Sequence, residues 1–503
     1  MKFLGYFTIA MASVVSSAVA ADAAPCVVPA PQKMTVGEGF CANPEVTKKT
    51  ANDVRSEGYR LEVSKDGIVV EASDDAGFFY AEETLKQLRG ADGKIPCCKI
   101  DDWPVYSWRG VHIDDCRHFF GRQTVKQVLD LMAMHKMNRL HWHLTEDQAW
   151  RLSIPGYPEL VKYGAVRSAS PSHGVWPTDP KRLKPTDLDG QKYGPFYYTE
   201  ADVREIVAYA AERHVVIVPE IELPGHVYAA LAAYPEFACR PENLAGREPR
   251  LVWGIEQDVL CLGNDKAIRF MEDVLDYVCR IFPGDVVHIG GDECPQVRWK
   301  ECPKCRARIE KEGLGDEHGL QPWITRHFVK FLADRGKRTL GWDEYLLGDI
   351  PRSAIGMNWR ESRSGAGHEL VSGAAAALRG HDVVMTPCSY CYLDYGQGLR
   401  NDPFQYIGGK VTLERCYSFD PRAGLTGAAR EHILGGQCNN WSEYTWNEYD
   451  LAWKMWPRTS ALAEALWTAP AKRDYADFLS RMAVHRERLL KLGVNAAPLP
   501  PVK

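Results

Sequence analysis

Val286-Val287-His288-Ile289-Gly290-Gly291-Asp292-Glu293 is a short apolar segment that ends in two adjacent carboxylates. Similar segments recur along the chain, separated by stretches with helical periodicity, at 109–114, 139–144, 215–221, 286–291, 338–342, 354–359, 382–386 and 434–441. Eight strands that alternate with helices are typical of a (β/α)8 barrel. An open doubly wound sheet would alternate in the same way, but its glycine-rich phosphate-binding turn is missing. We therefore predict an α/β fold, with a TIM barrel and a C-terminal helix over residues 104–495.

A different pattern precedes the barrel. Residues 57–63 alternate in the manner of a strand, residues 67–72 form a second strand, and a helix begins at Ala76-Gly77. These elements predict a small non-catalytic α+β domain over residues 27–103.

The first 20 residues have the pattern of a secretory signal peptide. Lys2 precedes the apolar run from Phe3 to Val15, and Ala18-Val19-Ala20 supplies a small-residue cleavage site. No later segment reaches about 18 uncharged apolar residues. We therefore predict a signal peptide at residues 1–20, export to the periplasm or the medium, and no membrane span.

Composition narrows the class of ligand. The 503 residues are 45% hydrophobic and 25% charged, and 61 basic against 66 acidic residues leave a net charge of −5. No basic cluster suits a nucleic-acid backbone, so we predict no nucleic-acid partner. The 15 tryptophans exceed what packing alone usually needs, and sugars are one ligand class that stacks on aromatic walls. No feature indicates an oligomeric state.

Every predicted strand ends in carboxylates, imidazoles or tryptophans. In a (β/α)8 barrel those ends form the face that carries the chemistry, and charges are costly to bury in such numbers without a function. The set suggests acid/base chemistry on a polyhydroxylated ligand. The chain has neither a G-x-S-x-G nucleophile elbow nor an H-E-x-x-H motif, which disfavours acyl hydrolases and zinc proteases.

Glycoside hydrolysis fits this set, with one peculiarity. Ordinary glycosidases place two carboxyl groups on opposite sides of the scissile bond. Asp292 and Glu293 are adjacent and leave one strand together, which does not suit opposite sides of a sugar. This favours one enzymic acid and a nucleophile from elsewhere.

Five motifs follow in order along the chain: His-Trp-His-Leu-Thr-Glu-Asp-Gln (141–148), Pro-Glu-Ile-Glu-Leu-Pro-Gly-His (219–226), His-Ile-Gly-Gly-Asp-Glu (288–293), Gly-Trp-Asp-Glu (341–344) and Trp-Ser-Glu-Tyr (441–444). Together they resemble glycoside hydrolase family 20, the β-N-acetylhexosaminidases. The resemblance implies an exo-acting enzyme that removes terminal non-reducing β-linked GlcNAc or GalNAc from oligosaccharides or glycoconjugates. It also implies substrate-assisted catalysis with retention, in which the 2-acetamido oxygen attacks its own anomeric carbon to form an oxazolinium ion. No cofactor and no metal is implied.

The resemblance also implies roles for individual residues. Glu293 would be the general acid and then the base, Asp292 would orient the acetamido N–H, and Tyr392 would donate to the acetamido oxygen. The substrate would be bound by Arg109, Trp342, Trp359, Asp394, Trp441 and Glu443. Glu146 and His226 would tune Glu293 through a hydrogen-bonded relay, with His288 and His143 nearby. The family more often has Asp at position 146, so the extra methylene of Glu146 leaves the geometry of this relay open.

Other interpretations stay open. A lacto-N-biosidase-type enzyme of the same family would release a disaccharide, and a sugar-binding protein would keep the barrel without turnover. Cys302 and Cys305 have the C-x-x-C spacing of a zinc ribbon or a redox pair, and Cys388 and Cys391 repeat it. Neither pair has zinc-finger flanks, so local disulfides or buried thiols are favoured over a metal.

Overall fold

The computed structural model describes residues 25–501 except 43, 176–183, 245, 347 and 361–372. The predicted signal peptide, residues 1–20, lies outside the described residues. Export therefore stays a prediction, which N-terminal sequencing of the mature protein would test. Among the described residues, no helix combines the length and apolar character that crossing a bilayer requires.

A five-stranded sheet precedes the barrel. Its strands are β1 (Lys33–Cys41), β2 (Val46–Thr50), β3 (Tyr59–Val63), β4 (Ile68–Ala72) and β5 (Ile95–Asp102), in the order β1-β5-β3-β4-β2. Alternate side chains of β3 and β4 are buried beneath helix α1 (Asp75–Leu88). Asp74 caps the N-terminus of the helix, and its carboxylate accepts a hydrogen bond from the Gly77 N–H. This is the small α+β domain that the sequence predicts.

Eight parallel strands then close a barrel in chain order. They are β6 (Trp108–Asp114), β7 (Arg139–His143), β8 (Val216–Glu220), β9 (Val286–His288), β10 (Arg338–Trp342), β11 (Ile355–Asn358), β12 (Val383–Met385) and β13 (Ile433–Asn440). The last strand pairs with the first, so the sheet has no open edge. Because all strands are parallel, their carboxyl ends meet at one face. The predicted fold class is confirmed.

Helices connect and cover these strands. They are α2 (Gly121–Met134), α3 (Glu159–Lys162), α4 (Glu200–Ala211), α5 (Tyr228–Ala233), α6 (Asp265–Ile281), α7 (Val297–Glu301), α8 (Pro303–Glu312), α9 (Leu320–Ala333), α10 (Gly373–Leu378), α11 (Cys388–Cys391), α12 (Leu413–Tyr417), α13 (Glu448–Met455), α14 (Arg458–Trp467) and α15 (Tyr475–Lys491). In α6, Phe270, Val274 and Val278 recur every fourth residue and are buried, which is the stripe of a helix packed on a core.

Two buried cations join the small domain to the barrel. Arg109, at the start of β6, donates to both carboxylate oxygens of Glu57 at 2.9 and 3.0 Å. Lys136, just before β7, donates to Asp102 at 2.8 Å. Both cations are fully buried, and both lie where barrel strands begin. This junction is therefore at the opposite end of the barrel from the carboxyl ends of the strands.

Candidate active site

The loop that follows β9 carries the two adjacent carboxyl groups, and residues 290–293 are named the acid loop. The chain turns through Gly290 and Gly291, with φ of 62° and 97°, and reaches Asp292 and Glu293. A Cβ at position 290 would lie 1.8 Å from Oε2 of the buried Glu222, and the φ of 62° also favours glycine there. Glu293 itself has a φ of 45°, an uncommon conformation for a residue with a side chain. Backbone strain of this kind concentrates at functional sites.

His226 connects the acid loop to a buried carboxylate. Its Nε2 lies 3.6 Å from Oε2 of Glu293 and 3.8 Å from Oδ2 of Asp292. Its Nδ1 lies 2.8 Å from Oε1 of Glu146. Burial alone would lower the pKa of His226, but the carboxylates of Glu146, Asp147 and Glu293 raise it well above its ordinary value. The longer side chain of Glu146 therefore still reaches the imidazole.

Glu146 is held in turn by two cations. Its Oε2 lies 3.0 Å from Nη2 of Arg117 and 3.2 Å from Nε2 of His143. Burial would raise the pKa of this carboxyl, but Arg117, His226 and His143 hold it well below its usual range. For the imidazole of His143, burial would lower the pKa, but the carboxylates of Glu220 and Glu146 raise it to about 10. Glu146 is therefore a fixed anion that orients His226.

A second carboxylate, Glu220, lies deeper in the barrel. It accepts a hydrogen bond from the Trp342 indole at 2.8 Å, and its oxygens lie 2.9 Å from nitrogens of both His141 and His288. All of these side chains are buried. His288, predicted to lie near the relay, contacts Glu220, and its ring packs edge-on against Trp342 with centroids 5.0 Å apart. Sequence reasoning missed Glu220, although it lies at the end of β8.

Asp292 carries a buried acceptor. Its Oδ1 accepts no hydrogen bond within the part of the chain that the structure describes. Burial raises the pKa of Asp292 to about 7, with Glu293 and Glu220 adding to the shift and His226 opposing it. Glu222 is also buried with both oxygens unpartnered among the described residues, and burial and Asp292 raise its pKa well above the usual range. Sequence reasoning also missed Glu222.

Aromatic side chains cluster at the carboxyl ends of the barrel strands. The ring centroids of Trp342 and Trp441 are 5.6 Å apart, and those of Tyr392 and Trp441 are 6.4 Å apart. Trp359 lies nearly parallel to Tyr392, at 18° and 6.3 Å, and donates to Glu344 at 3.0 Å. Burial raises the pKa of Tyr392 well above its ordinary value, so its hydroxyl remains a donor. The predicted tryptophans therefore form one wall.

Two further carboxyl groups are buried at the strand ends. Asp394 is 3% exposed and Glu443 is 8% exposed. Within the described residues, both oxygens of Asp394 and Oε2 of Glu443 are buried without a hydrogen-bond partner. Burial raises the pKa of Asp394 to about 8, with Glu443 adding to the shift. Buried carboxyl groups without partners are costly, and hydroxyl groups of a ligand can satisfy them.

The prediction that Arg109 binds substrate is wrong. Arg109 lies at the start of β6 and is enclosed by Glu57 and Tyr80 of the small domain, so no substrate at the carboxyl ends reaches it. The arginine in the site is Arg117, which follows the end of β6. Its guanidinium lies 5.0 Å from the Trp441 ring, 3.2 Å from Asp114 and 3.0 Å from Glu146. Active sites of (β/α)8 barrels lie at the carboxyl ends of the strands. This alone could have favoured Arg117 over Arg109, because Arg117 comes after β6 and Arg109 lies at its start.

Comparison with known proteins agrees with this arrangement. Residues 106–470 match the model of the glycosyl hydrolase family 20 catalytic domain, and residues 41–103 match domain 2 of that family. The chain belongs to glycosyl hydrolase family 20. The predicted family and the predicted class, a glycoside hydrolase, are confirmed.

Two relatives illustrate the similarity of this family 20 chain. A beta-hexosaminidase of Porphyromonas gingivalis is 42% identical over 464 residues, which cover 90% of this chain and 56% of that protein. The chain thus spans little more than half the length of that relative. A beta-hexosaminidase of Akkermansia muciniphila is 33% identical over 444 residues, covering 87% of this chain and 85% of that protein.

A solved family 20 structure has the same architecture. The exo-β-N-acetylglucosaminidase of Vibrio harveyi, in complex with N-acetylglucosamine, superimposes with a TM-score of 0.80 at 28% identity. The match covers 95% of this chain and 80% of that one.

Proposed function

We propose that this chain is an exo-acting β-N-acetylhexosaminidase. It removes terminal, non-reducing, β-linked GlcNAc or GalNAc from oligosaccharides or glycoconjugates, with retention and with the substrate's own acetamido group as nucleophile. The single observation that carries this proposal is that Asp292 and Glu293 share one imidazole, that of His226, at 3.8 and 3.6 Å. Both carboxyl groups come from one loop and face one imidazole, which suits one enzymic acid beside a group that orients the substrate's own acetamido nucleophile.

Glu293 is the group that reaches solvent. Its side chain is 36% exposed, whereas that of Asp292 is 14% exposed. A general acid must reach both the leaving oxygen and, afterwards, an incoming water. Glu293 therefore protonates the departing oxygen and, as a carboxylate, activates the water that opens the oxazolinium ring. The relay through His226 to Glu146 fixes its position.

Asp292 and Tyr392 act on the acetamido group. The unpartnered Oδ1 of Asp292 accepts the acetamido N–H, and the hydroxyl of Tyr392 donates to the acetamido oxygen. Burial raises the pKa of Asp292 to about 7, which means that its anion is disfavoured in the free site. Positive charge that develops on the acetamido nitrogen relieves this cost. The interaction is therefore stronger in the transition state than in the ground state, as catalysis requires.

The polar end of the site suits a single terminal sugar. Asp394, Glu443 and Arg117 supply buried hydrogen-bonding groups beside the Trp441 wall, and ring hydroxyls would satisfy them. A disaccharide-releasing enzyme needs room for a second sugar beyond these groups. The Vibrio harveyi neighbour, an exo-enzyme, supports the one-sugar interpretation.

Paired aryl glycosides test the proposed function. We expect release of p-nitrophenol from the 2-acetamido β-glucoside to exceed release from the 2-hydroxyl β-glucoside by at least about 10³-fold in kcat/KM, because only the first carries the nucleophile. NMR of the first-formed sugar should show the β anomer. Equal turnover of the two glycosides would mean that the enzyme supplies its own nucleophile. Turnover of neither, with cleavage of the matching disaccharide glycoside, would favour the biosidase.

The corrected arginine leads to a second prediction. Arg117→Lys keeps the positive charge but loses the planar guanidinium group, which holds Glu146 and can also donate to ring hydroxyls. We expect kcat/KM to fall roughly 10- to 100-fold, the effect of losing hydrogen bonds to a charged group. Steady-state kinetics on the acetamido glycoside measure it.

Arg109→Lys is the matched control. It weakens a buried pair with Glu57 at the far end of the barrel, so the thermal unfolding midpoint should fall while kcat/KM of the folded enzyme stays within about twofold. A loss of kcat/KM in Arg109→Lys with no loss in Arg117→Lys would reverse the assignment.

A further inference from the structure

Four cysteines from three separate segments of the chain lie together. Cys239 follows α5, Cys261 precedes α6, Cys302 lies between α7 and α8, and Cys305 lies in the first turn of α8. Their sulfur atoms all lie within 4.8 Å of one another. Cys261, Cys302 and Cys305 are buried, and Cys239 is half-buried.

The sulfur–sulfur distances do not fit disulfides. They are 3.7 Å for Cys239–Cys305, 3.7 Å for Cys261–Cys305 and 3.8 Å for Cys261–Cys302. A disulfide requires about 2.05 Å. Four thiolates at about 2.3 Å from a tetrahedral zinc ion lie about 3.8 Å from one another, by the geometry of the tetrahedron. The observed spacing is therefore that of a zinc-thiolate site.

The backbone around the four sulfurs is held in place. Ala238 and Leu260 form an antiparallel bridge, and the Cys261 N–H donates to the Phe237 carbonyl at 2.9 Å, so the first two cysteines are fixed to each other. A Cβ at Gly263 would lie 2.1 Å from the Lys304 carbonyl carbon, so the segments that carry Cys261 and Cys305 touch through backbone. Four sulfurs on such a framework are positioned for a ligand before it binds.

We propose that Cys239, Cys261, Cys302 and Cys305 bind one structural zinc ion. All four ligands come from the protein, which leaves no open position for substrate and makes the site structural. The sequence spacing identifies only Cys302 and Cys305 as a pair. Cys261 precedes Cys302 by 41 residues, and Cys239 precedes Cys305 by 66 residues. The expectation of disulfides or simple buried thiols at Cys302 and Cys305 is replaced by this proposal.

The site would clamp two loops that carry the chemistry. The Leu260 N–H donates to the Pro224 carbonyl at 3.0 Å, which ties the segment that carries Cys261 to the turn before His226. Cys302 and Cys305 follow Glu293 in the chain, after the short helix α7. The zinc ion would therefore hold His226 and Glu293 at their mutual distance without touching either.

Metal analysis of the purified full chain tests the proposal. After growth with zinc and purification without chelator, we expect about one zinc ion per chain by inductively coupled plasma mass spectrometry. The double variant Cys302→Ser/Cys305→Ser should lose the metal. The double variant Cys388→Ser/Cys391→Ser has the same C-x-x-C spacing and should retain it.

A second measurement on the unmodified protein does not depend on how a variant folds. Titration of the native thiols with an organomercurial should release zinc in step with about four thiol equivalents, followed with a colorimetric zinc indicator. Removal of the metal should also lower the thermal unfolding midpoint. A metal-free native protein whose intact mass shows two disulfides would overturn the proposal, and so would bound iron with its visible thiolate absorption.

Discussion

Replacement of Glu293 by glutamine is expected to lower kcat/KM by roughly 10³-fold for a β-linked N-acetylhexosamine disaccharide, about 4 kcal/mol of transition-state stabilisation. The alkoxide that leaves a disaccharide requires a proton, and glutamine has none to give. The 2,4-dinitrophenyl glycoside of the same sugar leaves without protonation, so its kcat/KM should fall by less than about tenfold. The parameter kcat/KM isolates this step because it covers the reaction only up to departure of the leaving group.

Glutamine is nearly isosteric with glutamate, which keeps the experiment specific. It tolerates the same φ of 45° as poorly as glutamate does, and its amide can still contact His226. A change in folding should therefore be small, and circular dichroism with the thermal midpoint checks it. Equal losses for the two leaving groups would remove Glu293 as the acid. Loss confined to kcat of the activated glycoside would report instead on the second step, where the carboxylate acts on water.

The barrel and the acid loop were predictable because their signals are local. An apolar run such as Val286-Val287 indicates a buried strand, and the carboxylates that follow it indicate where the carboxyl end of that strand lies. Arg109 and Arg117 show where that reasoning stops. Arg109 lies at the start of β6 and Arg117 lies just after its end. Only the contact of Arg109 with Glu57, 52 residues away, reveals that Arg109 belongs to the domain junction.

The buried partners of the site depend on contacts that sequence patterns do not carry. Glu220 and Glu222 are two residues apart in chain order, yet the carboxylate of the first is surrounded by imidazoles and the carboxyl oxygens of the second have no hydrogen-bond partner among the described residues. The four cysteines were invisible as a set for the same reason. Local spacing identifies Cys302 and Cys305, whereas Cys239 and Cys261 lie beside them only because the fold packs three separate segments together.

Replacement of Asp292 by asparagine is expected to lower kcat about 10²- to 10³-fold while KM stays within about threefold. Asparagine can still accept a hydrogen bond from the acetamido N–H, so the ground-state complex survives. It carries no negative charge, so it cannot stabilise the positive charge that appears as the oxazolinium ring closes. A thiazoline mimic of that intermediate should therefore lose much more affinity for the variant than GlcNAc does.

The pH dependence separates this role from a structural one. Burial raises the pKa of Asp292 to about 7 in the free site, and the ionised form is the active one. As pH falls through about 7, Asp292 gains a proton and kcat/KM of the unmodified enzyme should decline. Asparagine cannot titrate, so in Asp292→Asn this limb should disappear from the kcat/KM profile. An unchanged kcat, or a variant that keeps the same acidic limb, would show that the limb belongs to another group and that Asp292 does not stabilise the transition state.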